Sequence, residues 1–119
     1  MNQIINSKNY DLEDRTFGFA RRVRDYVKKL PKTLGNFEYA KQLIRSSGSQ
    51  AANYIEANES FSKKEFKFRI KISKKEIKES LLWIKLTEPL KGESTEKENL
   101  LHEASELMRI FGAIAQKAK

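Results

Sequence analysis

A chain of 119 residues with 24 Lys and Arg against 16 Asp and Glu carries a net charge of +8, and a chain of this length can bury about two thirds of its unfolded surface without a staple. The absence of cysteine removes disulfide frameworks, thiolate nucleophiles and Cys-ligated zinc together, and is compatible with a reducing cytoplasm. No stretch approaches the roughly 20 apolar residues of a membrane span and the opening residues lack the basic and apolar regions of a signal peptide, so the expectation is a cytoplasmic protein, with no membrane partner, whose basic balance favours nucleic acid or another polyanion.

Residues 1–10 are polar apart from Ile4 and Ile5 and show no period; they are expected as a mobile arm before a bundle over 11–119. Asp11 offers a cap for a first helix from Leu12, in which Thr16, Phe19, Ala20, Val23, Val27 and Leu30 recur at three and four, until Pro31 ends it. Its basic residues Arg21, Arg22, Lys28 and Lys29 lie three or four positions from Asp25, which partly neutralises that face. After the loop PKTLGN, Asn36 is expected to cap a second helix with a core row at Ala40, Leu43, Ile44, Ser47, Ala51, Tyr54, Ile55 and Asn58. Gly48 costs about 1 kcal/mol against alanine in a helix interior, and the simplest compensation is the close approach of another helix. A phosphate-cradling loop is disfavoured there, since no strand precedes it and no Gly-Lys-Ser/Thr follows. A second row, Arg45, Ser49, Ala52 and Glu56, ends in two charges about three turns apart, each expected to meet a charge on another helix or another subunit.

The turn at 60–62 is short, and Ser62 with Glu65 matches a capping box flanked by staple positions Phe61 and Phe66, so the third helix should return antiparallel to the second. Its core row is Phe66, Ile70, Ile77, Leu81 and Ile84. One flank carries Lys67, Lys71, Lys74 and Lys78 at i, i+4, i+7 and i+11, with no acidic residue three or four positions from any of them. Like charges at that spacing weaken a helix, so the row is either a solvated face or a track for an anionic partner. The other flank, Phe68, Ile72, Trp83 and Leu86 among Glu65, Glu76 and Glu79, holds more apolar surface than a small monomeric bundle uses, which points to self-association. Pro89 and Gly92 close this helix. Thr95 with Glu98 forms a further capping box, before a seam of Leu100, Ala104, Leu107, Phe111 and Ile114 with Leu101, Met108 and Ala115 beside it. The expected fold is all-α, an up-down-up-down antiparallel four-helix bundle.

No catalytic constellation can be argued. Glu98, His102 and Glu106 share a helical face opposite the core seam, a pattern more often a charge cluster than a ligand set, so no metal, no cofactor and no enzymatic activity are expected. Candidate nucleic-acid contacts are Lys67, Lys71, Lys74 and Lys78, helped by Lys64 and Lys75 and by Arg21, Arg22 and Lys28 of the first helix. Candidate self-association residues are Arg45, Ser49, Ala52, Glu56, Phe68, Ile72, Glu79 and Trp83. A scaffold whose basic face docks an acidic protein is the alternative.

The segments RSSGSQAANYIEANESFSKKEF and KISKKEIKESLLWIKL resemble the bacterial 23S ribosomal-RNA intervening-sequence proteins, with Arg45, Ser49, Ala52, Asn53, Glu56, Glu79, Ser80 and Trp83 at the positions of the family pattern. The resemblance spans about 11–86. It implies a four-helix bundle assembled as a homopentameric ring, encoded within intervening sequences of 23S rRNA genes. It also implies distant kinship to the accessory protein of diversity-generating retroelements, a basic ring that engages a reverse transcriptase and nucleic acid. No catalytic residue comes with it.

Overall fold

Apolar side chains at intervals of three and four give each helix one buried face, and mutual burial of those faces closes the bundle. The computed structural model describes the backbone of residues 2–118 and the side chains of 12–118; the first helix runs through the stretch expected as an arm, so Asp11 lies within it and is not its cap. The helices are α1 (Asn2–Lys28), α2 (Leu34–Asn58), α3 (Lys63–Leu86) and α4 (Ser94–Lys117), with a 3-10 turn, Lys91–Glu93, leading into α4. Each packs against its neighbours in sequence and α4 returns to α1, while among the described residues the backbones of the diagonal pairs stay apart and meet only through core side chains. That is the expected up-down-up-down arrangement. Phe19, Val23, Leu43, Ile70, Ile77, Ile84, Leu100, Ala104, Leu107 and Phe111 form the closed centre, with the Tyr54 and Phe111 rings 6.0 Å apart.

The closest seam joins α2 to α3, and it is built from small polar residues. Ser46, Ser47, Gln50, Ser73 and Ser80 are as buried as the leucines. Ser46 and Ser80 share a hydroxyl hydrogen bond of 2.7 Å, Ser73 donates to the Gln50 carbonyl at 2.9 Å, and Gln50 Nε2 donates to the Thr16 carbonyl of α1 at 2.8 Å. Short side chains let the helices approach, and each buried hydroxyl meets the requirement that buried polar groups be paired.

This seam turns α2 away from the expected row. Its buried line runs Leu43, Ser46, Ser47, Gln50, Ala51, Tyr54 and Ala57, leaving Ile44 and Ile55 about half exposed and Asn58 exposed. Gly48 is exposed and nothing stands near its Cα, so the expected close approach of another helix there is not made within the chain. Phe61 is fully exposed and forms no staple with Phe66, although Ser62 accepts from the Glu65 N–H at 3.1 Å as a cap should. Thr95 is not a cap either, because the 3-10 turn starts α4 at Ser94.

Asn36 differs most from its expected role. Thr33 caps α2, its hydroxyl accepting from the Asn36 N–H, and Asn36 is buried as a clamp across the end of the bundle. Its side-chain N–H groups donate to the carbonyls of Pro31 at 3.0 Å and Glu88 at 2.9 Å, and its Oδ1 accepts from the Glu88 N–H at 2.8 Å. Lys97 closes the same end by donating to the Thr87 and Lys85 carbonyls, the exposed C-terminus of α3. Beside it the Thr87 hydroxyl donates to the Ile84 carbonyl, so the Tyr26 hydroxyl is the donor in its 2.8 Å bond to Thr87. Replacing Asn36 with Ala removes the partner of the Glu88 N–H and C=O and one of the two donors to the Pro31 carbonyl, which keeps the Thr33 N–H, and urea denaturation should show a loss of about 1–2 kcal/mol; Asn58→Ala, which removes an exposed bond to Glu13, should cost less than Asn36→Ala.

Candidate nucleic-acid interface

The 3.6-residue period of α3 divides it into three longitudinal faces. Its α2-facing flank is engaged with α2, although the buried Arg69 Nε has no partner. Arg69 donates to Asn53 at 3.0 Å, Ser73 and Ser80 make the bonds described above, and Glu76 and Glu79 accept from Arg45 at 3.1 and 2.9 Å. Arg45 therefore meets its charges on another helix of the same chain. Glu76 is nearly buried and depends on that guanidinium for its partner.

The opposite flank carries the lysine row. Lys71, Lys74 and Lys78 are exposed and Lys67 is half-buried; at 1.5 Å rise per residue the four span about 17 Å. Among the described residues none makes an ion pair. Lys74 lies over Gly112 of α4, where a methyl group would come within 3.5 Å of its Nζ. Lys85, seven residues beyond Lys78 and also exposed, extends the row. The sequence pattern carries that signal, since i+7 is one further step along the same face. Lys64 and Lys75 are exposed farther round, toward the outer face of the helix.

Three of the four acidic residues of α4 lie toward α1; Glu98 is exposed and makes no ion pair among the described residues. Glu103 and Glu106 both meet Arg15 of α1 at 2.8 Å, and Glu96 meets Arg22 at 3.4 Å. Arg22, expected among the anion contacts, is thus spent within the bundle. Arg21 sits over the Phe17 ring, 5.3 Å from its centroid. It and the exposed Lys28 stand on α1, which is diagonal to α3 and whose backbone does not approach it. The structure therefore does not join these α1 residues to the lysine row.

Among the outer residues, Phe68 is exposed and Ile72 half-buried, but Trp83 is not free. It packs against the core edge and stacks on Tyr39, centroids 6.3 Å apart. Ser49 accepts from Asn53 of its own helix at 3.2 Å, and Ala52 and Glu56 are exposed on α2. His102 and Glu106 pair at 3.2 Å, and among the described residues no group of three or more His, Cys, Asp or Glu is placed to hold a metal ion. No described helix is long and apolar enough to cross a membrane.

The hydrogen bond to Glu103 leads in raising the Arg15 guanidinium above its ordinary pKa. Its bond to Glu106, with His102 and Arg109 nearby, holds that carboxyl below the ordinary value of 4.5. A carboxyl with a depressed folded-state pKa binds fewer protons than in the unfolded chain, so its contribution is complete above about 4.5 and is lost as pH falls through the lower folded value. Thermal melts should therefore show Arg15→Gln destabilised relative to wild type at pH 7, with the gap narrowing as pH falls below 4.5.

Residues 8–113 match the family model described as 23S rRNA-intervening sequence protein. Among solved structures, a protein of unknown function from the S23 ribosomal protein family of Bacteroides thetaiotaomicron is 26% identical; the match covers 92% of this chain and 98% of that one, with a TM-score of 0.77. No curated protein matches the chain.

Proposed function

The chain belongs to the 23S rRNA-intervening sequence protein family, and from that premise and the lysine row of α3 we propose that it is a non-enzymatic, basic homo-oligomer of the cytoplasm that binds RNA or DNA as an accessory or ribonucleoprotein-assembly factor. One observation carries the reading: Glu96, Glu103 and Glu106 of α4 are turned to α1 and matched there by Arg15 and Arg22, while among the described residues the lysines on the α4-facing flank of α3 have no acidic partner. Oligomerisation, five-fold if the resemblance extends that far, repeats this modest site and raises avidity without new contacts.

The contacts are to phosphates. Among the described residues no aromatic side chain interleaves with the row Lys67, Lys71, Lys74 and Lys78, since Phe66 packs against the core, Trp83 is stacked on Tyr39 and the exposed Phe68 lies on the outer face, so the row itself offers no platform for unstacked bases. Binding is then dominated by counterion release and depends little on sequence.

Four phosphate contacts per protomer predict a roughly hundredfold fall in affinity for duplex DNA between about 50 and 200 mM salt. Lys71→Glu with Lys74→Glu should weaken binding to all RNAs and DNAs alike and flatten the salt slope by about two, with helicity and oligomeric state unchanged, as read by fluorescence anisotropy and circular dichroism. Equal affinity of the double variant at low salt would make the row a solvated face. If wild type binds no nucleic acid even there, the same face would instead be read as a dock for an acidic protein.

A further inference from the structure

The third face of α3 points away from both its neighbours. Phe68, Leu82 and Leu86 are 59%, 49% and 40% exposed there, Ile72 is half-buried between them, and among the described residues α3 packs only against α2 and α4. Phe68, Ile72, Lys75, Glu79, Leu82 and Leu86 follow one another at intervals of four, three, four, three and four, the a/d spacing of a coiled-coil seam. Both ends of the seam are apolar and its centre is a lysine beside a glutamate.

The order is self-complementary about its midpoint. Turned antiparallel on itself, the seam sets Phe68 against Leu86 of a second copy, Ile72 against Leu82, and Lys75 against Glu79, so every layer is apolar on apolar or cation on anion. Turned parallel, it stacks Lys75 on Lys75 and Glu79 on Glu79. A charged layer in an otherwise apolar seam selects register and orientation in this way. Glu79 is already fixed at the edge of the seam by Arg45.

We infer that this face is a two-fold contact with a second copy of the chain, α3 antiparallel on α3. The inference rests on the self-association proposed above and adds its symmetry and register. A ring of five is closed by heterologous contacts, whereas this one is isologous, so it joins two protomers or two rings face to face. The two-fold axis keeps the α4-facing lysines of both copies on one side of the pair, where the two anion tracks run side by side and antiparallel.

Because the chain has no cysteine, the register can be read directly by cross-linking. Proteins carrying Phe68→Cys or Leu86→Cys should remain reducible monomers on a denaturing gel when oxidised alone, and form a disulfide-linked dimer when mixed, since only opposed positions come within the roughly 7 Å that a disulfide spans. In light scattering, Lys75→Glu should raise the dissociation constant of the pair about tenfold, and Lys75→Glu with Glu79→Lys should restore it, since the swap rebuilds the opposite-charge layer. Cross-linking of each variant alone, or a five-fold assembly indifferent to both charge variants, would overturn the two-fold contact and leave self-association standing. A monomeric wild type would overturn both.

Discussion

The bundle depends on the close approach of α2 and α3, and that approach depends on buried hydroxyls with nearby acceptors. Ser46 and Ser80 have essentially no exposure and satisfy each other across the seam; both also lie close to carbonyls of their own helices. A leucine at either position would force the axes apart, breaking the Ser73 and Gln50 bonds that fix the helices lengthwise. Each such bond contributes only about 1 kcal/mol net. Its larger effect is to exclude other registers, since a shift of either helix would bury hydroxyls without partners.

That register fixes where the charges go. With Ser73, Glu76 and Ser80 turned to α2, the 100° step per residue puts Lys67, Lys74 and Lys78 on the side of α4 and leaves Phe68, Leu82 and Leu86 outward. On α4 the same geometry turns Glu96, Glu103 and Glu106 to the arginines of α1. The result is a row of like charges on one flank of α3 that faces away from the matched charges of α1 and α4.

Periodicity made the number and order of the helices legible, and the cores of α1, α3 and α4 with them, because Phe19, Val23, Ile70, Ile77, Leu100 and Leu107 are apolar at the spacing a helix buries; the first turns of α1, α2 and α4 were not. It misplaced the inner face of α2, where Ser46 and Gln50 are buried and Ile44 and Ile55 are not; apolar patterns cannot register a seam made of polar groups that satisfy one another. Capping motifs were legible only where local geometry decides. Ser62 acts as read, whereas Asn36 looked like a cap but is claimed by Glu88, 52 residues away. The lysine row was legible because it is a pure surface pattern, but the engagement of Arg22 and Arg45 was not, since their partners lie on other helices. Trp83, read as surplus, is held by Tyr39, whose position no pattern in α3 predicts.

The three faces of α3 act over different ranges, and this separates the functions they can carry. The α2 face works through contacts under 3.2 Å in low dielectric, so it is insensitive to salt and decides only whether the protein folds. The outer face works by burying apolar area, so its strength depends on protein concentration and little on ionic strength. The lysine flank works through screened charge over about a Debye length, near 8 Å at physiological salt, so a single protomer holds a polyanion only weakly. Self-association through the outer face would leave the α4-facing lysines exposed and multiply them, so the apolar stripe that looks excessive for a small bundle is what turns a weak electrostatic site into a useful one.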